Sequence, residues 1–131
     1  MGIFRVRVKV YNLSDETRAR EIEMVVDSGA TYPLIPRELA DELGISPETE
    51  RAFTLADGNQ IVRFMARAGL AYDGRSAASM VVIGERVDVP ILGAHALEGL
   101  GFEVDPVAKT LRPAPQYLLG LGPHAPVAAV A

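Results

Sequence analysis

Alternating apolar and polar residues in the first part of the chain predict a β-hairpin. Residues 4–10 alternate strictly, which is typical of a strand with one buried face, and the cations between the apolar positions are expected on the solvated face. The Asn-Leu-Ser-Asp sequence of residues 12–15 predicts a turn. Residues 17–26 return as a second strand that is charged at its start and apolar at its end, so it enters the core as it approaches Asp27.

Two short helices are predicted further along the chain. Pro36 suits the first position of a helix over residues 36–43, which Gly44 ends. Residues 94–98 predict one or two further helical turns, closed by Gly99. The regions around Asp27 and Gly93 therefore share a local plan, in which an apolar strand is followed by a glycine-containing turn and a short helix.

The remaining segments are short apolar stretches separated by tight turns. Those that predict extended structure are residues 32–35, 53–55, 61–64, 66–72, 77–83, 87–92, 102–105 and 110–112. Asp57-Gly58 predicts a hairpin turn between the second and third of these, and residues 87–92, apolar apart from Asp88, predict a second buried strand. The sum of roughly eight short strands predicts an all-β barrel or closed sandwich, not a βαβ protein.

Composition and charge narrow the class of protein. The chain has 131 residues, 49% hydrophobic and 23% charged, as expected for one globular domain. A formal net charge of −4 argues against a nucleic-acid partner, because no basic face would neutralise phosphates. The absence of cysteine excludes disulfides and thiolate metal sites. No segment has the apolar length of a membrane span or the pattern of a secretory leader, so we expect no membrane partner and a cytoplasmic protein.

One acidic residue occupies an unusual position. Asp27 directly follows the apolar residues 24–26 and precedes Ser28-Gly29-Ala30. An unpaired carboxylate in an apolar setting is costly, and the small residues that follow leave it unshielded and allow another backbone to approach. The pattern predicts a tight turn, braced by the Ser28 hydroxyl, that presents the carboxylate at the floor of a groove. An ordinary strand-end turn with a satisfied aspartate is the alternative.

These motifs together resemble the retroviral-type (retropepsin-like) aspartic proteases, above all their small single-domain prokaryotic branch. The resemblance is carried by Val25-Val26-Asp27-Ser28-Gly29-Ala30-Thr31, by the 56–60 turn, and by Ile91-Leu92-Gly93 with its short helix. It covers residues 3–113 and implies a protease domain over residues 1–113. The composition of residues 114–131, rich in Pro and Ala, predicts a flexible tail. The implied fold is all-β, a closed acid-protease-type barrel with a flap hairpin, and each chain carries half of the active site.

The resemblance also assigns roles to individual residues. Asp27 would be the catalytic aspartate, with Ser28 tying the two active-site loops together across a dimer. The assigned set comprises the active-site loop Ser28, Gly29 and Ala30, the substrate-binding flap tip Ala56, Asp57, Gly58 and Asn59, and the scaffold Ile91, Leu92 and Gly93 beneath the loop. This flap tip has fewer glycines than retroviral flaps. Its Asp57 either favours basic substrates or is a plain turn residue.

The mechanism of this family needs two carboxylates, whereas the chain has one Asp-Ser-Gly. Two nearby aspartates share a proton, so that one polarises the peptide carbonyl while the other takes a proton from water. The second carboxylate must then be Asp27 of another copy. The resemblance thus implies a homodimeric aspartic endopeptidase that acts on polypeptides without a cofactor. A catalytically silent dimeric peptide-binding module of the same fold is the alternative.

Three further features carry weaker signals. His95 and His124 lack metal-ligand spacing and are predicted to be surface residues, so no metal site is expected. Tyr32, close behind Asp27, either lines a pocket or packs in the core or at an edge, and packing is the simpler prediction. The apolar segment 116–120 could dock on a partner subunit or in the groove, although a flexible tail is the simpler expectation.

Overall fold

The computed structural model describes residues 3–123, and these form a mostly β protein. Within them, nine strands run Phe4–Asn12 (β1), Asp15–Val26 (β2), Leu34–Pro36 (β3), Thr49–Thr54 (β4), Gln60–Tyr72 (β5), Arg75–Gly84 (β6), Ile91–Leu92 (β7), Phe102–Asp105 (β8) and Thr110–Pro113 (β9). Helix α1 spans Arg37–Leu43 and helix α2 spans Ala94–Leu100. The prediction of an all-β fold with one or two short helices is confirmed in that the chain is mostly β and has two short helices; closure of the strands into a barrel stays a prediction.

Seven of the strands form one sheet, in the order β1-β2-β7-β3-β6-β5-β4. Strand β5 also pairs with β1, where residues 69–71 lie opposite residues 9–11. The pairs β2–β7 and β3–β6 are parallel, while the other pairs are antiparallel. Strands β8 and β9 form a separate antiparallel pair. The short strand β7 therefore lies between the end of β2 and β3, next to the point where the chain reaches Asp27.

The core packs on the inner faces of the long strands. In β1, Val8 and Val10 are fully buried, whereas the cations that alternate with the apolar residues are exposed, as predicted. Besides these two valines, the largest fully buried side chains are Met24, Ile35, Leu39, Met65, Leu70, Leu92, Val81 and Pro33. Because Met24 and Leu92 belong to this core, the ends of β2 and β7 that flank Asp27 are fixed by close packing.

Both helices begin and end near their predicted positions, with small corrections. Pro36 is the N-cap of α1 and the last residue of β3, because its ψ of 145° is extended. Gly44 ends α1 in the left-handed region, as predicted. The prediction that Gly99 closes α2 was wrong, since the helix continues to the buried Leu100 and ends at Gly101, whose φ is 79°. A helix often ends at a glycine in the left-handed conformation. Of the two candidates, Gly99 and Gly101, it is Gly101 that ends α2 in this way.

Two strand predictions were wrong in extent. The predicted buried strand over residues 87–92 is strand only at Ile91–Leu92, and Val87 is 86% exposed. The Asp88 carboxylate accepts hydrogen bonds from Arg63 and from the Glu85 amide. These contacts hold the segment before β7 as a loop, although its sequence is mostly apolar. The predicted strands over residues 61–64 and 66–72 are one continuous strand, because Met65 between them pairs with both β4 and β6.

The last strand, β9, ends at Pro113, and residues 114–123 follow without helix or strand. Within this stretch, the Ala114 amide donates a hydrogen bond to the Gly101 carbonyl oxygen. The predictions for residues 124–131, including a surface position for His124, lie outside the described residues. In residues 3–123, no helix has the length and apolarity needed to cross a bilayer.

Candidate active site

The loop after β2 is organised by the Asp27 side chain. The Gly29 amide donates a hydrogen bond to Asp27 Oδ1 at 2.9 Å, and the Ala30 amide donates to the Asp27 carbonyl oxygen at 3.1 Å. Asp27 is half-buried, whereas Ser28 and Gly29 are exposed. The bracing predicted for the Ser28 hydroxyl is therefore supplied by the aspartate itself, because its carboxylate reaches the amide two residues on. Asp27 Oδ2 has no hydrogen-bond partner among residues 3–123.

The loop is bound along its length to β7 and to the start of α2. Besides the β2–β7 ladder, the backbone hydrogen bonds that join the two segments include Val25 N to Pro90 O (3.0 Å), Asp27 N to Leu92 O (3.2 Å), Ala94 N to Ala30 O (2.7 Å) and His95 N to Thr31 O (2.9 Å). These bonds bracket Asp27 on both sides. The residues predicted to lie beneath the loop, Ile91, Leu92 and Gly93, occupy this position, and the position of Asp27 therefore depends on β7.

Gly93 is the point of closest approach between the two segments. A Cβ atom at this position would lie 2.7 Å from the Ala30 carbonyl oxygen and 2.8 Å from that of Tyr32. Its φ of −88° is open to any residue, so the requirement for glycine comes from space and not from backbone conformation. The loop and α2 can form their hydrogen bonds because position 93 has no side chain.

The β4–β5 hairpin, formed by residues 49–65, has the predicted turn. Asp57 accepts hydrogen bonds from the Asn59 amide (2.9 Å) and the Asn59 side chain (3.0 Å), and Gly58 has a φ of 88°. The Leu55 amide donates to the Asn59 carbonyl oxygen at 2.7 Å and closes the turn. Residues 56–59, the predicted flap tip, are exposed. Asp57 thus has the contacts of a turn residue.

A groove of about 310 Å³ lies between the Asp27 loop, the β4–β5 hairpin and β7. Its lining is mostly apolar and comprises Ala30, Thr31, Tyr32, Leu34, Phe53, Leu55, Ile61, Arg63, Val82, Asp88 and Ile91. On the side of the Asp27 loop, the lining begins at Ala30, three residues after Asp27. An apolar side chain of a ligand would be desolvated there, beside the aspartate loop.

The polar part of the groove wall is an ion pair that was not predicted from the sequence. Arg63 Nε donates to Asp88 Oδ2 at 2.8 Å, and the two side chains are only 16% and 19% exposed. The hydrogen bond from Arg63 lowers the pKa of the Asp88 carboxyl, and the same bond raises the pKa of Arg63. Asp88 also accepts the Glu85 amide at 2.7 Å. In the sequence, Asp88 stands out as a single acid inside an apolar segment. Its partner Arg63 is 25 residues away, so the local pattern does not reveal the pair.

Tyr32 lines the groove, so of its two predicted roles the pocket position is confirmed and the simpler one, packing in the core or at an edge, was wrong. Its hydroxyl accepts a hydrogen bond from Arg51 Nη1 at 2.9 Å, and the Arg51 guanidinium lies 5.5 Å from the ring centroid. The exposed His95 ring meets Tyr32 edge-on, with centroids 5.6 Å apart. Among the described residues, no group of three or more His, Asp or Glu side chains is arranged to hold a metal ion.

The chain matches one protein-family model, described as "gag-polyprotein putative aspartyl protease", over residues 16–99. The matched segment contains the Asp27 loop, the β4–β5 hairpin and β7. A search of curated proteins gave no significant match.

Two solved structures with similar folds are named as proteases. EIAV protease complexed with the inhibitor HBY-793 is 16% identical, with a TM-score of 0.58 over 76% of this chain and 89% of that chain. A retropepsin-like aspartic protease from Rickettsia conorii is 22% identical, with a TM-score of 0.48 over 79% of this chain and 77% of that chain. At such identity, the likeness to the EIAV enzyme concerns the fold alone.

Proposed function

Because the chain belongs to the retropepsin-like aspartyl protease family, whose model spans more than half of it, we propose that it is an aspartic endopeptidase. The observation that carries this proposal is the bracing of Asp27 beside an apolar groove. Backbone bonds to β7 and α2 fix the loop, and the Gly29 amide fixes the carboxylate. A hydrogen-bonded ladder of this kind positions a reacting group, which a loop that only binds ligand does not require.

In this proposal the active enzyme is a homodimer in which two Asp27 side chains face each other across a two-fold axis. The pair holds one proton, so one carboxyl group polarises the scissile carbonyl while the other removes a proton from the attacking water. The exposed Ser28 hydroxyl is then free to reach the partner's loop. Each chain supplies half of the site, within a domain over residues 1–113.

The same proposal gives the β4–β5 hairpin the role of a flap. An extended peptide lies between the hairpin and the Asp27 loop and is held as an added strand. One of its apolar side chains fills the groove against Phe53, Leu55 and Ile61. The exposed tip, Ala56 to Asn59, then covers the peptide backbone.

The direct test replaces Asp27 and a matched aspartate elsewhere. Asp27→Asn should abolish cleavage of an unstructured protein substrate assayed from mildly acid to neutral pH. Asp73→Asn is the control, because Asp73 is an exposed turn aspartate with a φ of 48°, a conformation that asparagine accepts. We expect the control to cleave at the parent rate. Equal rates for Asp27→Asn and the parent would refute the proposal.

The assembly is tested separately by sedimentation against protein concentration. We expect a species of twice the 14.0 kDa chain mass, and Asp27→Asn should form the same species. A chain that stays monomeric with and without peptide would exclude the shared site. A dimer that binds peptides but never cleaves them would identify the alternative, a silent peptide-binding module.

A further inference from the structure

Two arginines occupy directly opposite positions on the β4–β5 hairpin. Arg51 of β4 and Arg63 of β5 are partners in the antiparallel ladder, so their side chains leave the same face. Like charges directly opposite each other are destabilising unless each is neutralised elsewhere. Here each arginine reaches away from the other and contacts a different wall of the groove.

The two contacts differ in character. Arg63 is paired with Asp88 in the loop before β7, where both side chains are largely shielded from solvent. Arg51 donates to the Tyr32 hydroxyl and stacks on its ring, in the segment that follows the Asp27 loop, and Arg51 is exposed. The hairpin is thus held at the level of the Arg51–Arg63 pair by two contacts. The Arg63–Asp88 ion pair is shielded from solvent, whereas the Arg51–Tyr32 contact is exposed to it.

Beyond this level the hairpin has no further polar attachment. Among the described residues, no hydrogen bond or ion pair joins residues 52–62 to anything outside the hairpin. Phe53 and Ile61, the next partners on the same face, line the groove, whereas Val62 on the other face is 55% exposed. Residues 52–62 therefore extend over the groove from one fixed level.

We propose that Arg51 and Arg63 are positioning residues that clamp the hairpin at its base and so set the height of residues 52–62 above the groove. This inference rests on the proposed function only in taking the groove as the peptide site. Asp88 is the stronger anchor, because its ion pair is shielded, and Tyr32 is the weaker one. Loss of either anchor lets the outer hairpin turn about the remaining one.

The absence of cysteine from the chain allows a direct measurement of this position. Spin labels at Ala56→Cys in the turn and Glu98→Cys on α2, both exposed, report the height of the hairpin by pulsed dipolar spectroscopy. Excess unlabelled chain removes distances between subunits. We expect one narrow distance distribution in the parent, a broader one in Tyr32→Phe and the broadest in Asp88→Asn.

A matched control lies on the same strand. Arg67 of β5 pairs with Glu48 at 3.0 Å, away from the groove, and Arg67→Gln should keep the parent distribution. Arg63→Lys, which keeps the charge, should restore part of the order lost in Arg63→Gln. Distributions for Tyr32→Phe and Asp88→Asn that superimpose on the parent would overturn the clamp. Should Asp88→Asn not fold, Tyr32→Phe and the Arg63 pair of variants decide the question alone.

Kinetics give a second readout if the protein cleaves peptides. Clamp variants should raise KM by roughly fivefold to tenfold and change kcat by less than about twofold, because they position the hairpin and do not touch the reacting atoms. The distance measurement needs no cleavage. A chain that is inert in the Asp27 test can therefore still confirm or refute the clamp, and the two proposals fail independently.

Discussion

Replacing Gly93 by alanine tests whether the Asp27 loop depends on close approach to α2. The new Cβ would lie 2.7 and 2.8 Å from two backbone carbonyl oxygens, those of Ala30 and Tyr32. Backbone atoms cannot move aside as a flexible side chain can, so the loop and the start of α2 must separate. The same separation lengthens the bonds from Ala94 to Ala30 and from His95 to Thr31.

The size of the effect follows from these two contributions. Overpacking in a well-packed region costs about 1–3 kcal/mol. Each of the two weakened hydrogen bonds contributes about 0.5–1 kcal/mol more. We therefore expect Gly93→Ala to lower the free energy of unfolding by about 2–5 kcal/mol, a large part of the roughly 5–15 kcal/mol that stabilises a typical domain.

Gly99→Ala is the matched control, because it makes the same chemical change on the same helix. A Cβ at Gly99 meets only the Ala77 Cβ at 3.5 Å, an ordinary contact. Alanine is favoured over glycine inside a helix by about 0.5–1 kcal/mol, so this variant should be slightly more stable than the parent. The two substitutions are thus expected to have opposite signs.

The measurement is urea unfolding followed by circular dichroism at one fixed protein concentration. With a slope of about 2 kcal/mol per molar urea, the Gly93→Ala midpoint should fall by roughly 1–2.5 M. A midpoint for Gly93→Ala within the error of the parent midpoint, or a shift in the same direction and of the same size as that of Gly99→Ala, would refute the reasoning.

Two further predictions concern the groove and the loop. The hydrogen bond from Arg63 lowers the pKa of the Asp88 carboxyl below its ordinary value of 3.8. The ion pair therefore stabilises the fold fully at pH values above 3.8, and this stabilisation is lost as the pH falls through the lower pKa that Asp88 has in the folded protein. The stability gap between the parent and Asp88→Asn, about 2 kcal/mol near neutral pH, should therefore close in strong acid in urea titrations, and a constant gap would contradict this. Gly29→Ala places a Cβ 3.1 Å from Asp27 Oδ1, so it should reduce kcat/KM by about tenfold or more while stability changes by less than about 1 kcal/mol, and parent-like kinetics would contradict this.

Local chemistry explains which parts of the fold were predictable. The turn at Asp57-Gly58 is determined by a few adjacent residues, and its hydrogen bonds are all within the turn. The left-handed glycine after α1 is a local signal of the same kind. Asp27 could be recognised because it is an acid directly after an apolar strand. Neighbouring residues alone specify each of these features.

The features that were missed depend on contacts distant in sequence. Residues 87–90 form a loop because Asp88 pairs with Arg63 across the groove, and hydrophobic pattern does not report such a partner. Tyr32 lines the groove because Arg51 from another strand holds its hydroxyl. In both cases the sequence prediction used only the apolar or aromatic character of the segment. Its position in the fold depends instead on a contact with an arginine of the hairpin.

The pairing of β2 with β7 has a consequence for the order in which the molecule forms. The hairpins β1–β2 and β5–β6 join neighbouring segments and close early, whereas Val25 pairs with Ile91 from the other half of the chain. Such distant pairings require closure of a long loop and form late in folding. During synthesis, Asp27 therefore emerges long before the strand that fixes it. A nascent or truncated chain lacking β7 carries the acid without an ordered site, which delays any activity until the domain is nearly complete.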